Sequence, residues 1–169
     1  MTHYMELLAT AQPWNLIIFM AIPVILAEAI AVSELYILFT RKAHGAVVTL
    51  NTYASILVGI YFVGVFVYLV TTAVVPLTTS GGWRGPADVI AVSFYLLGVV
   101  PLGGMALLKL KLIGRHRSQE GQLMLHATLV AIFLVVAHVA MIFGMLNPEV
   151  LGWSPSTAAM NTGMGDMQH

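Results

Sequence analysis

The sequence contains no cysteine, and only 8% of its 169 residues are Asp, Glu, Lys or Arg. Without thiols the chain can form no disulfide, thiolate metal site, iron–sulfur cluster or cysteine nucleophile. Soft-metal chemistry, if the protein performs any, falls to methionine and histidine. The shortage of charge, set beside a hydrophobic share of 59%, leaves too little polar surface to coat a soluble globule of this size. A formal net charge of zero gives no basic field for a nucleic-acid partner, and none is expected. Also missing are a Gly-rich phosphate loop, a His-Glu-x-x-His pair, two carboxylates placed to face one substrate, and a serine with an evident base and third partner. These absences lean against an enzyme. No internal repeat or inverted symmetry of the transporter kind is visible.

The chain does have four long apolar runs, at about 14–40, 47–75, 87–112 and 123–146. Each can cross a hydrocarbon core of about 30 Å at about 1.5 Å per residue. The expected fold is an all-α membrane protein, an antiparallel bundle of four transmembrane helices occupying residues 1–153 as a single domain. A flexible tail containing Met and His should follow over 154–169. The lipid bilayer is the main expected partner. Ser55 with Gly59, and Ala140 with Gly144, are small residues four apart that allow close helix approach, within the chain or across a homo-oligomer or larger membrane complex. Pro23 and Pro101 lie within runs and each frees a backbone carbonyl.

Six of the seven basic residues fall in two loops, as Arg41, Lys42, Lys109, Lys111, Arg115 and Arg117. The positive-inside rule puts those loops in the cytoplasm and both termini outside, in the periplasmic or extracellular space. Trp14, Trp83 and Trp153 then fall at the outer interface, which indole favours. The amino end lacks a basic n-region and a small-residue cleavage site, so its apolar run is expected to stay as the first helix. The expected location is the cytoplasmic (inner) membrane of a bacterium, as a multi-pass protein.

Within the spans, Glu28 lies near mid-membrane, where a carboxylate costs at least a few kcal/mol. It reads as a group for proton movement or charge balance, or as a neutral acid hydrogen-bonded to the next helix. Glu34 lies close enough to Arg41 and Lys42 for a salt bridge at the inner interface. His138 shares a helical face with Met141 and Met145, which lie near 60° and 20° from it on the wheel. Met20 of the first run lies at a comparable depth. A site of His138, Met141, Met145 and Met20 forms if those faces meet, whereas ordinary packing of Met and a hydrogen-bonded core His is the plainer alternative.

Most methionines fall on the outer side of this frame. The amino end reads Met-Thr-His-Tyr-Met, and the tail carries Met160, Met164, Met167 and His169. Thioethers with occasional imidazole suit Cu(I), so copper is the expected ion, with His3 and the tail residues capturing it and the intramembrane set receiving it. Capture, transport or delivery to a membrane enzyme would all fit. Met141-x3-Met145 resembles the intramembrane Met-x3-Met motif of high-affinity copper transporters of the Ctr type; the resemblance covers five residues and implies no homology.

Haem b is the alternative cofactor, in an electron-transfer subunit of a membrane redox complex. His138, His126 and His44 are the alternative haem ligands. His126 and His138 are twelve residues and about 18 Å apart on one helix, so one haem cannot use both. The routes left are His138 with Met20, His126 with a loop histidine, or His138 from two copies. Tyr53, Tyr61, Tyr68 and Tyr95 could line a quinone pocket. A non-catalytic accessory subunit is a third class.

Overall fold

The computed structural model describes residues 2–41 and 44–154. Helices are the only regular elements among them. A short helix α1 (His3–Ala9) precedes four long ones, α2 (Trp14–Thr40), α3 (Ala46–Ser80), α4 (Pro86–Lys109) and α5 (Gln119–Met145), and a 3₁₀ turn (Pro148–Leu151) follows. The four long helices are each long and apolar enough to cross a membrane. Large apolar side chains such as Val32, Phe39, Tyr53, Ile60, Val100 and Val135 are exposed along them, which suits contact with lipid tails.

The helix ends follow local chemistry. α3 runs on to Ser80, beyond the expected end at 75, because a wide π turn at Val70–Val74 absorbs Pro76. There the Val75 N–H donates to the Val70 carbonyl, and Gly81 then ends the helix in the left-handed region at φ 66°. α5 begins earlier than expected because Ser118 caps it, accepting from the Gly121 N–H at 3.2 Å. α4 ends at Lys109, short of 112.

The main core draws on all four long helices. Ala27 and Ile30 of α2, Val58 and Phe62 of α3, Leu102 and Met105 of α4, and Phe133 of α5 form one buried cluster. Gly59 brings α3 against α4 so closely that a Cβ there would lie 2.5 Å from the Ala106 Cβ and 2.8 Å from the Leu102 carbonyl oxygen. The small pair Ser55 and Gly59 therefore serves contact within the chain.

Pro23 shapes α2. Lacking an N–H, it frees the Phe19 carbonyl four residues earlier, and the preceding π turn at Ile17–Ala21 diverts the Ile22 N–H to Ile17 and so frees Ile18 as well. Two tyrosines take up these acceptors: the Tyr95 hydroxyl donates to Phe19 O at 2.6 Å and the Tyr61 hydroxyl to Ile18 O at 2.8 Å. Tyr95→Phe should therefore cost about 1–3 kcal/mol, the range for an orphaned acceptor. In a Pro23→Ala background, where the helix can satisfy its own carbonyl, the same change should cost distinctly less. Heat unfolding of the four proteins in detergent measures the difference, and equal costs in both backgrounds would refute the account.

α1 lies outside the four apolar runs. Thr2 caps it and donates its hydroxyl to the Gly144 carbonyl of α5, while the Tyr4 ring covers Gly144 so tightly that a Cβ there would lie 2.6 Å from it. Asp88 at the start of α4 accepts from the His3 backbone N–H at 2.7 Å, and Arg84 pairs with Glu6 at 2.7 Å. That last pair is partly exposed, with Arg84 half-buried and Glu6 open to solvent, and contributes about 1 kcal/mol at most. Met5 packs beside Tyr4 and Leu8 in a second cluster with Phe19, Val65 and Leu69. Met5, in the amino-terminal Met-Thr-His-Tyr-Met stretch, therefore has a core to fill, because α1 supplies one.

Candidate functional site at the junction of α1, α2 and α5

Two cavities meet where α1 sits against α2 and α5. The larger, about 260 Å³, has walls of Phe19, Phe62, Phe94, Tyr95 and Phe133 and polar groups from Glu28 and His138. Met20 and Met141 line it too. The smaller, about 210 Å³, is lined by Met5, Met20, Met141 and Met145 together with Tyr4 and Leu8. Three helices therefore deliver four thioethers to one pair of adjoining spaces. Pro23 and Gly98 both border the larger cavity, and a Cβ at Gly98 would lie 3.3 Å from the Phe62 ring.

His138 is held in one tautomer. Its Nδ1–H donates to the Leu134 carbonyl one turn earlier, at 2.6 Å, which leaves the Nε2 lone pair without a protein partner among the described residues. A carbonyl on one ring nitrogen is the usual arrangement behind a metal-binding histidine. The ring and the Glu28 carboxylate are both exposed at the cavity's edge, so they face whatever occupies the opening. Burial pushes the Tyr4 hydroxyl up to about 12, making it a neutral phenol on the rim.

Other expected site residues are placed elsewhere. His3 directs its ring Nδ1 to Asp88, which occupies that nitrogen at 2.5 Å. Met145 is largely exposed and touches only the smaller cavity. His44 is exposed in the turn before α3. Met160, Met164, Met167 and His169 lie outside the described residues. Among the described residues no three His, Asp or Glu side chains converge as a metal-holding set, so a metal at this junction would need sulfur ligands.

Glu34 corrects its sequence reading. Instead of reaching toward Arg41, it turns inward and is buried with His126, their Oε2 and Nδ1 atoms 2.8 Å apart. Asn51 donates to the same Oε2 at 3.1 Å, and Ser55 meets the other ring nitrogen of His126 at 3.0 Å. Both nitrogens of His126 thus face protein atoms. The visible signal was the cluster of Glu34, Asn51, Ser55 and His126 as polar interruptions of apolar runs; their mutual contact depends on helix packing that spacing along one helix does not give.

A family model described as a family of unknown function, DUF6803, matches residues 1–160. The chain belongs to DUF6803. No curated protein and no solved structure matches it. The DUF6803 match takes in Met20, Glu28, His138, Met141 and Met145, and leaves Met164, Met167 and His169 beyond its end.

Proposed function

We propose that this protein binds a soft metal ion, copper as Cu(I), through the Nε2 atom of His138 and the thioethers of Met20 and Met141. The observation that carries the reading is their meeting on one cavity with His138 already fixed as the Nδ1–H tautomer. Thioether and imidazole are soft to borderline ligands that favour Cu(I) over hard cations. Glu28 would balance the single positive charge, which matters in a low-dielectric setting where an unpaired ion is costly. Met5 and Met145 would line the approach, with Met160, Met164, Met167 and His169 capturing the ion first. In this reading the helices form an antiparallel bundle in a bacterial cytoplasmic membrane with both termini outside. The ion would be taken up there and carried or delivered onward, by a homo-oligomer or alongside a membrane partner.

The test is Cu(I) binding by the full chain in detergent under reducing conditions, with elemental analysis and competition against a colorimetric chelator. Stoichiometric copper is expected, with a Met20→Leu/Met141→Leu variant weakened by at least the roughly tenfold that loss of even an outer-shell partner costs. Met124→Leu, at the other end of α5, should bind as the parent does. Equal affinity in all three, or no copper at all, would remove the proposal.

One observation favours a second reading. The aromatic walls and edge opening of the larger cavity suit a lipid-soluble quinone, whose reduced form could donate a hydroxyl to His138 Nε2. Bound quinone in a solvent extract, lost on His138→Ala, would favour it over copper. Haem b would have to use His138 with Met20 or with a second copy, and a Soret band would reveal it.

A further inference from the structure

The inner contacts of His126 fix where protons must be. The Ser55 hydroxyl has one hydrogen, and it is donated to the Asn51 carbonyl at 2.6 Å. The 3.0 Å contact between Ser55 Oγ and His126 Nε2 therefore requires the ring to donate from Nε2. A neutral imidazole protonated at Nε2 carries a bare lone pair at Nδ1. That lone pair lies 2.8 Å from Glu34 Oε2, which in a carboxylate is also only an acceptor. The contact is bent away from the ring-nitrogen axis, so it is a close electrostatic contact rather than an aligned hydrogen bond. Two bare acceptors at that distance, both buried, repel each other with no water to screen them.

We infer that Glu34 and His126 form a proton-binding site inside the protein, holding one proton per chain either on the Glu34 carboxyl or on His126 Nδ1. The proton makes either an imidazolium beside a carboxylate or a neutral ring beside a carboxylic acid. In both forms the pair has a net charge of zero, whereas without the proton it has a net charge of minus one. The neighbours on the packed helices offset that charge only from a distance. Asn51 of α3 already donates its Nδ2 atom to Glu34 Oε2, Ser33 Oγ and the Ile30 carbonyl. Lys109 of α4 lies within electrostatic reach of Glu34 but makes no ion pair with it among the described residues.

Around the proton, Glu34 Oε1, Asn51 Oδ1 and His126 Nδ1 have no hydrogen-bond partner among the described residues, although all three are buried. The ligand is a hydron. The inference does not depend on copper at His138, which lies twelve residues further along α5 in a cavity that neither Glu34 nor His126 lines.

Nuclear magnetic resonance on the full chain, labelled with 15N at histidine and 13C at glutamate and held in lipid nanodiscs at neutral pH, tests it on the unmodified protein. The expected result is one of two signatures. Either both His126 nitrogens are protonated and Glu34 is ionised, or Nε2 alone is protonated and Glu34 is a carboxylic acid. An ionised Glu34 beside a neutral His126 would overturn the inference, as would a ring protonated at Nδ1 alone. Glu34→Gln provides the second arm, because its amide can donate to Nδ1 in place of the proton. That variant should give a neutral ring protonated at Nε2 and lose any carboxylic-acid signal; a charged His126 there would count against the shared proton.

Discussion

Glu34→Ala is expected to destabilise the folded protein by about 3–5 kcal/mol, the range for removing one member of a buried ion pair. Alanine would leave His126 Nδ1 facing a void, in a space where Glu34 is 2% exposed and His126 1%. It would also remove one of the acceptors that Asn51 uses, although Ser33 Oγ and the Ile30 carbonyl remain for that amide. The double change Glu34→Leu with His126→Leu should recover much of the loss, because it removes both polar partners and restores apolar volume. Ser55 keeps its bond to the Asn51 carbonyl in every variant, so it stays satisfied. Denaturant or heat unfolding in mixed micelles gives the stabilities of the parent, Glu34→Ala and the double variant. A Glu34→Ala protein within about 1 kcal/mol of the parent would mean that water reaches the pair and compensates it.

Gly59→Leu should be comparably damaging for a steric reason. The first atom of any side chain at residue 59 meets Ala106 Cβ at 2.5 Å and the Leu102 backbone oxygen at 2.8 Å. Neither obstacle can rotate away, since one is a Cβ and the other is backbone. α3 and α4 must separate, which costs the 1–3 kcal/mol typical of overpacking and also loosens the packing of Val58, Phe62 and Leu102, for a total of roughly 3 kcal/mol or more. Gly64→Leu, on the same helix with nothing within 4 Å of a Cβ, is the control and should change stability by no more than about 1 kcal/mol. Similar unfolding curves for the two variants would show that helix propensity, not the α3 and α4 contact, governs residue 59.

Both experiments touch parts of the fold that differ in how far sequence reveals them. The four long helices were legible because apolar length is a one-dimensional property, and Ser55 with Gly59 correctly marked a close approach. The partner of that approach, α4, was not readable from the pair. Pro23 announced a freed carbonyl, but nothing along the chain said that Tyr61 and Tyr95 would supply the hydroxyls. α1 was missed because seven residues give too short a period to distinguish from a loop, and its stability comes from Gly144 and Asp88, far away in sequence. Met20, Met141 and His138 were grouped from helical spacing and depth, and they line one cavity. Met145, grouped with them by angle, reaches only the neighbouring one because it lies at the last turn of α5.

The two cavities share Tyr4, Met20 and Met141 in their linings. Tyr4 is fixed against Gly144, whereas the two methionines are unbranched side chains with three rotatable bonds, so their part of the lining is a pair of swinging doors rather than a fixed partition. Side-chain rotation takes picoseconds to nanoseconds, whereas helices shift over microseconds to milliseconds. Exchange between the sulfur-lined space beside α1 and the one bordered by Glu28 and His138 would then need these side chains to rotate and no helix to move.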